Sequence, residues 1–133
     1  MENLKPKKND ITAISEENNT FDLILCYHIL EHVDQDEKAL KELFRVLKPN
    51  GSVLIQSPFK EGEIYENSKV VKPKDRLRHF GQKDHVRIYS VNGLVSRLEL
   101  AGFKVEVMTW SALESNPHGF KSKETTLLAS KVT

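Results

Sequence analysis

Three side chains that can exchange protons or bind a metal ion lie close together early in the chain. They are His28, Glu31 and His32, at relative positions i, i+3 and i+4. On one helical turn this spacing places all three groups on a shared face, where they can converge on one ligand. Because the ordinary pKa of imidazole is about 6.5, His28 can act as a general base near neutral pH.

The sequence around this cluster predicts a strand, a helix and a second strand. Residues 21–27 form a continuous apolar run, typical of a parallel strand that is buried on both faces. Apolar residues then recur at helical spacing over 35–47, and Asp34 with Glu37 offers a capping box for that helix. Residues 52–57 are the second apolar strand. The polar cluster therefore lies at the carboxyl end of the first strand, the edge at which open α/β sheets bind ligands.

The flanking regions are predicted to be less regular. Residues 1–20 are polar and are expected to be loosely ordered, with at most a very short strand at 9–12. Residues 58–89 read as a long irregular insert. Because loops of this length in a domain are usually functional or disordered, we expect this insert to lie over the ligand-binding site.

The C-terminal part predicts one more helix and a hairpin. Ser90 is a helix N-cap, and apolar positions continue to Gly102, which ends the helix. Residues 103–108 alternate between apolar and polar side chains, as in a half-buried strand. Residues 125–132 form the last strand, which we expect to pair antiparallel with the preceding one.

Length and composition favour one globular domain. The chain has 133 residues, of which 38% are hydrophobic and 29% charged. Its formal net charge of +1 predicts no bulk attraction to nucleic acid or to a membrane surface. The single cysteine, Cys26, suits a reducing cytoplasm, and no apolar run reaches the roughly 20 residues that cross a bilayer. We therefore expect a cytoplasmic protein.

Two segments resemble the class I S-adenosylmethionine-dependent methyltransferases of the type 11-like, small-molecule branch. They are Leu-Glu-His-Val at 30–33 and Arg-Val-Leu-Lys-Pro-Asn-Gly at 45–51. The resemblance implies an α/β fold with strand order 3-2-1-4-5-7-6, of which the chain covers the later strands. The glycine-rich loop of that family is absent from residues 1–133. We therefore expect a single, N-terminally incomplete methyltransferase domain: a partial Rossmann-like sheet, mainly parallel, with a C-terminal antiparallel hairpin.

The same resemblance implies residues that hold the cofactor, S-adenosylmethionine. Asp10 and Ile11 match the pair that contacts the adenine, although Asp10 is equally well explained as a solvated carboxylate. Cys26, Tyr27 and His28 match the residues that face the methionine part and the sulfonium. For His28 two roles stay open, a general base or a structural cap that bonds backbone at the strand end.

A second resemblance concerns the methyl acceptor. The segment 79–89 is similar to a Phe-Gly-Gln-x-Asp-His-Val-Arg-x-Tyr stretch in a subset of bacterial methyltransferases. By this resemblance His85 and Arg87 bind the acceptor, and His85 is a further catalytic candidate. The basic residues before this segment are interpreted as a solvated, charge-balanced surface; they are Lys69, Lys72, Lys74, Arg76 and Arg78.

A metal site is the sharper alternative for the polar cluster. His28, Glu31 and His32 resemble the Glu-x-x-Glu-His metal cluster of small-RNA 2′-O-methyltransferases, with His79 or His85 as the completing ligand. His28 stands where those enzymes carry glutamate, and the Leu-Glu-His-Val sequence also occurs in metal-free relatives. We therefore expect no metal.

The function implied by the resemblance is methyl transfer from S-adenosylmethionine to a small molecule, and an anion is one candidate acceptor. Two alternatives remain: a truncated domain that acts as an interaction module, and a metal-dependent 2′-O-methyltransferase. The apolar strand at 21–27 would lie at the edge of the incomplete sheet. It is expected to pair with a second copy of itself or to be covered by the N-terminal segment.

Overall fold

The elements of this protein alternate between strands and helices, as in α/β proteins. The computed structural model describes residues 10–110 and 124–132. The strands are β1 (Phe21–Tyr27), β2 (Leu47–Gln56), β3 (Tyr65–Glu66), β4 (Arg87–Ile88), β5 (Lys104–Trp110) and β6 (Glu124–Ser130). The helices are α1 (Asp36–Val46), α2 (Pro73–Phe80) and α3 (Val91–Leu100), with a short 3₁₀ turn at Leu30–His32. No helix in the described ranges is long and apolar enough to cross a membrane.

The main sheet has four described strands in the order β1-β2-β6-β5. β1 is parallel to β2, and β6 runs antiparallel to both of its neighbours. The family resemblance implies the strand order 3-2-1-4-5-7-6. The described strands β1, β2, β6 and β5 take the places of family strands 4, 5, 7 and 6 in that order. The α/β class and the partial Rossmann-like sheet with its C-terminal hairpin are confirmed, and the described sheet is mixed.

The hydrophobic core lies on one face of this sheet. Leu40 and Leu43 of α1 are buried there together with Leu94 and Leu98 of α3, against Ile55 of β2. Helical spacing brings each pair onto one side of its helix, which explains why both helices pack on the same face.

The other face of β1 is open among the described residues. Leu23, Leu25 and Tyr27 alternate along that face and are 55%, 60% and 44% exposed. β1 is also the terminal strand of the described sheet, so its outer edge has no described partner strand. An exposed apolar strand edge of this kind favours association with another strand.

Gly51, in the middle of β2, permits the close approach of β1. The register shifts between Phe21 and Leu23, where a bulge containing Asn50 and Gly51 lies in β2. A Cβ atom on Gly51 would lie 2.9 Å from the carbonyl oxygen of Lys48 and 3.0 Å from that of Phe21. A larger residue would therefore force the two parallel strands apart.

Three local predictions need correction. α1 begins at Asp36, with Gln35 as an N-cap that makes no side-chain hydrogen bond, so the capping box at Asp34 is wrong. Residues 10–13 form a tight turn, in which the Ala13 amide donates to the Asp10 carbonyl at 2.9 Å, and not a short strand. Residues 58–89 are not irregular throughout, because they contain α2 and the antiparallel pair of short strands β3 and β4. Proline in the first turn and Gly81 in the left-handed conformation at the end explain where α2 starts and stops.

The segment before β1 is held on α1. The Arg45 guanidinium donates to the Ile14 carbonyl at 2.8 Å, the Glu16 carbonyl at 3.0 Å and the Asn18 side chain at 2.9 Å. The Ile14 amide donates to Glu42 at 2.9 Å. Residues 14–18 are therefore anchored on α1 and do not cover β1, whereas residues 1–9 lie outside the described part of the chain.

Candidate functional site

His28 ends β1 in an unusual backbone conformation. Its φ of 56° lies in the left-handed region, which non-glycine residues seldom adopt outside functional or strained sites. The His28 amide donates to the Gln56 carbonyl at 2.8 Å, and this bond joins the ends of the two parallel strands. The imidazole is more than half exposed, and its Nδ1 lies 3.6 Å from Oε2 of Glu31, beyond hydrogen-bonding distance. The backbone thus caps the strand end, and the ring faces solvent.

Glu31 is a buried carboxylate with one satisfied and one unsatisfied oxygen. Oε1 accepts a hydrogen bond from the Ser57 hydroxyl at 3.0 Å, whereas Oε2 has no partner among the described residues. Its backbone carbonyl accepts from the Val86 amide at 2.8 Å, which ties the turn after β1 to the segment before β4. An unpartnered buried carboxylate oxygen is costly, so it marks a place where another group belongs. Ser57 was not singled out from the sequence, although its place directly after β2 was a usable signal.

His32 and His85 lie beside this carboxylate. Their rings meet edge to face with centroids 4.6 Å apart. Nδ1 of His32 lies 3.1 Å from the Asp84 carbonyl oxygen, which can only accept, so this nitrogen is the donor. Burial and the neighbouring His32 lower the pKa of His85, while Glu31 and Asp84 partly oppose this. His85 is therefore neutral, and can accept a proton, at neutral pH.

Arg87 is buried and already bonded to the protein. Its guanidinium donates to the carbonyls of Leu30 at 2.8 Å, Val33 at 2.5 Å and Asp34 at 2.8 Å. Nε donates to Glu66 at 2.8 Å. These bonds fix the loop after β1, so Arg87 is a positioning residue here, and its contact with an acceptor stays a prediction.

A charged network extends from Arg87 away from the histidines. Asp36 accepts from the Tyr89 hydroxyl at 2.5 Å and from Arg97 at 2.5 Å, and Arg97 also donates to Glu66. Burial raises the pKa of Tyr89 well above its ordinary value. Burial alone would raise the pKa of Glu66, but hydrogen bonds from Arg97 and Arg87 outweigh it and hold that pKa below its usual value. Sequence reasoning missed this network, because its members are far apart in the chain.

The residues expected to hold the cofactor lie in different surroundings. Cys26 is buried in the core, where burial and the charge of Glu31 raise the pKa of its thiol to about 12. Tyr27 points to the opposite, open face of β1. Asp10 is exposed and accepts from the Thr12 amide at 2.9 Å, and Ile11 is half-buried against the core. Cys26 could therefore contact a cofactor at the strand end through its backbone but not through its buried side chain.

A small cavity lies next to the polar cluster. Its volume is about 230 Å³, and its walls combine residues after β1 and β2 with the end of α2 and the segment through β4. The lining residues are Glu31, Pro58, Phe80, Gly81, Gln82, His85, Arg87 and Ile88. Two regions that the sequence singled out, 28–32 and 79–89, thus meet at one place.

The possible metal ligands differ from the set that the sequence suggested. One ligand atom each of Glu31, His32 and His85 lie within 4.8 Å of one another. His28 lies beside Glu31 but is not in this group. His79, on α2, instead makes a 2.6 Å hydrogen bond to the Tyr65 hydroxyl. Of the two histidines proposed to complete the cluster, the structure brings in His85.

The comparison with known proteins agrees with this architecture. Residues 1–107 match the family model for a methyltransferase domain. The chain belongs to the methyltransferase domain family. This match confirms the resemblance to class I S-adenosylmethionine-dependent methyltransferases of the type 11-like branch.

Similar proteins cover the chain unevenly. An uncharacterized protein of Methanocaldococcus jannaschii is 35% identical over 86 residues, which are 61% of this chain and 37% of that protein. The ubiquinone/menaquinone biosynthesis C-methyltransferase UbiE of Hydrogenovibrio crunogenus is 38% identical over 61 residues, 46% of this chain and 20% of that enzyme. This methyltransferase chain thus spans well under half the length of these curated relatives.

Solved methyltransferase structures share the fold. The structure of an S-adenosylmethionine-dependent methyltransferase of Thermotoga maritima, a possible histamine N-methyltransferase, superposes with a TM-score of 0.68 at 21% sequence identity. The superposition covers 94% of this chain and 63% of that one. At this identity the likeness concerns the fold alone, and it confirms a Rossmann-like arrangement.

Proposed function

We propose that this chain acts in methyl transfer from S-adenosylmethionine to a small acceptor. One observation carries the proposal: in a member of the methyltransferase family, Glu31 of the turn after β1 lines a cavity together with His85 and Arg87. That turn follows the carboxyl end of β1, the edge at which open α/β sheets bind their ligands. In-line methyl transfer requires mainly that nucleophile and methyl group be aligned and that water be excluded, so a cavity at this edge suits the reaction.

The proposed roles follow from exposure. The exposed Tyr27 and His28 at the end of β1 contact the cofactor, and Asp10 with Ile11 contacts the adenine. His28 is the candidate base, because its imidazole faces solvent. His85 contacts the acceptor inside the cavity of about 230 Å³, below the roughly 300–1,000 Å³ of pockets for drug-sized ligands. That volume supports a small acceptor. The cytoplasmic location expected from the sequence stays a prediction.

Titration with S-adenosylhomocysteine, the product of the cofactor, tests this proposal. We expect saturable binding by calorimetry, with a thermal stabilisation that approaches about 2.7 kcal/mol at a hundred times the dissociation constant. His28→Asn should weaken binding, because asparagine tolerates the left-handed backbone but removes the imidazole. His79→Asn is the matched control and should bind like the wild type. No binding at millimolar ligand would refute the proposal for this chain.

A second candidate function is that of an interaction module, favoured by the exposed apolar face of β1. We propose that two copies associate through strand 21–27. Leu23, Leu25 and Tyr27 carry no charge, so two copies of this face meet without repulsion. Light scattering should then give twice the chain mass, and Leu25→Lys should yield a monomer. A wild-type chain that is monomeric at high concentration would exclude this association.

A further inference from the structure

We infer that Glu31, His32 and His85 form a binding site for one divalent transition-metal ion at the edge of the cavity. The site joins the turn after β1 to the segment before β4. It does not depend on cofactor binding, since none of the three ligands is among the residues proposed to contact S-adenosylmethionine.

The unsatisfied oxygen of Glu31 is the first observation. The side chain is 1% exposed, and Oε2 has no hydrogen-bond partner among the described residues. Nδ1 of His28 is 3.6 Å away, beyond hydrogen-bonding distance. A buried carboxylate is stable when it is paired or when it coordinates a metal ion, and an ion at the edge of the cavity that Glu31 lines would supply the missing partner.

The two imidazoles supply the remaining ligands. The ligand atoms of Glu31, His32 and His85 lie within 4.8 Å of one another. Ligands of a tetrahedral zinc ion, each about 2.0–2.2 Å from the metal, are roughly 3.4 Å apart. The ligand atoms that lie farthest apart therefore need to approach by up to about 1.4 Å, which rotation of the side chains can supply.

The tautomer of His32 is already suited to metal binding. Because Nδ1 donates to the Asp84 carbonyl at 3.1 Å, its Nε2 keeps a lone pair. A metal-bound histidine usually donates its other ring N–H to a carbonyl or a carboxylate. The Asp84 carboxylate lies 3.4 Å from the same Nδ1 and reinforces this orientation.

The ligand-bearing segments are held together without the ion. The Val86 amide bonds the Glu31 carbonyl at 2.8 Å, and Arg87 bonds the carbonyls of Leu30 and Val33. Rigid support of this kind limits the reorganisation that metal binding requires.

The donor set and the cavity define the ion and its ligand. Two imidazoles and one carboxylate favour Zn²⁺, Co²⁺, Mn²⁺ or Fe²⁺ over Mg²⁺ and Ca²⁺, which prefer oxygen ligands. Three protein ligands leave a coordination position open. Glu31 and His85 both line the cavity, so that position faces it and would take water or an oxygen atom of the acceptor. Binding of the acceptor at this position rests on the proposed function.

Calorimetric titration of the full chain with Zn²⁺ tests the inference. The protein is purified without an affinity tag, stripped with a chelator and titrated with Zn²⁺ in the absence of S-adenosylhomocysteine. Visible absorption with Co²⁺ reports the coordination. We expect one ion per chain and no competition from millimolar Mg²⁺.

Matched variants keep the test decisive. Glu31→Gln and His85→Gln should each weaken Zn²⁺ binding on the order of a hundredfold, whereas His79→Gln should bind like the wild type. Circular dichroism checks that each variant folds. If Glu31→Gln does not fold, His85→Gln carries the test, because His85 is only half-buried. Absence of saturable binding, or unchanged binding in His85→Gln, overturns the inference. If the chain binds Zn²⁺ but not S-adenosylhomocysteine, the metal site stands and the proposed function is refuted. If it binds S-adenosylhomocysteine but not Zn²⁺, the proposed function stands and the metal site is refuted.

Discussion

Two charged clusters border the loop after β1, and they differ in whether their buried groups are fully partnered. In one, the buried Asp36 accepts from Arg97, and the buried Arg87 donates to the more exposed Glu66, which also accepts from Arg97. In the other, Glu31 is buried against histidines and keeps one oxygen without a described partner. A buried charge whose partners are all present stabilises the fold, whereas one that lacks a partner indicates a place for a ligand.

This contrast has a direct consequence for mutations. Removing a member of the partnered network should leave an uncompensated buried charge and lower the free energy of unfolding. Changing the incompletely partnered carboxylate should mainly alter binding. The following substitutions test that division, from the largest expected effect on stability to the smallest.

Arg87→Ala should have the largest effect on stability. It removes a side-chain donor from the carbonyls of Leu30, Val33 and Asp34, of which Leu30 keeps the Val33 amide, and it removes a buried partner of Glu66. We expect the free energy of unfolding to fall by about 3–5 kcal/mol, measured by urea denaturation. Arg87→Lys should recover only part of this loss, since an ammonium cannot reproduce the planar fork. A loss below about 1 kcal/mol for Arg87→Ala would show that the network is not a structural unit.

Tyr89→Phe should have an intermediate effect. The Tyr89 hydroxyl donates to the Asp36 carboxylate at 2.5 Å in a buried environment. Loss of a hydrogen bond to a charged group should cost about 1.5–3 kcal/mol in the same urea experiment. Tyr65→Phe is the matched control, because its hydroxyl bonds His79 at the surface, and it should change stability by about 0.5 kcal/mol or less. Equal effects of the two substitutions would contradict this assignment.

Glu66→Gln should change stability in a pH-dependent way. The pKa of Glu66 is lowered in the folded protein, so its contribution is present above its ordinary value of 4.5 and is lost as the pH falls through the folded value. The variant should be about 1 kcal/mol or less below the wild type at pH 7, and this difference should disappear under more acidic conditions. Urea denaturation across this pH range measures it, with Glu63→Gln as the control. A difference that persists undiminished in acid would contradict the lowered pKa.

Glu31→Gln should have the smallest effect on stability. Glutamine keeps an acceptor for the Ser57 hydroxyl and removes the unpartnered buried charge. We expect the free energy of unfolding to stay within about 1 kcal/mol of the wild type, or to rise. A loss of more than about 2 kcal/mol would instead place Glu31 among the structural charges.

The strands of the main sheet could be predicted from local patterns, whereas their order came from the family resemblance. The apolar run at 21–27, the helical spacing that follows it and the alternation at 103–108 depend on residues close in the chain. The predicted N-cap at Ser90 is confirmed, since its hydroxyl accepts from the Gly93 amide at 3.0 Å. The i, i+3, i+4 spacing of His28, Glu31 and His32 likewise predicted that these three residues lie together in the turn after β1.

What the sequence could not predict depends on partners far along the chain. The N-cap of α1 is Gln35 and not Asp34, and its first residue, Asp36, accepts hydrogen bonds from Tyr89 and Arg97, more than fifty residues away. The role of Arg87 was hidden because most of its acceptors are backbone carbonyls, which leave no trace in residue identity. These contacts form only when the insert folds back over the loop after β1.

The most direct test of a ligand site at the carboxyl end of β1 is an amide NMR titration with S-adenosylhomocysteine. We predict saturable shifts concentrated at residues 26–32 and 56–58, with the amides of Tyr89 and Arg97 unmoved. A spectrum that stays unchanged at millimolar ligand, or shifts that centre on the charged network, would contradict the assignment of this edge as the functional one.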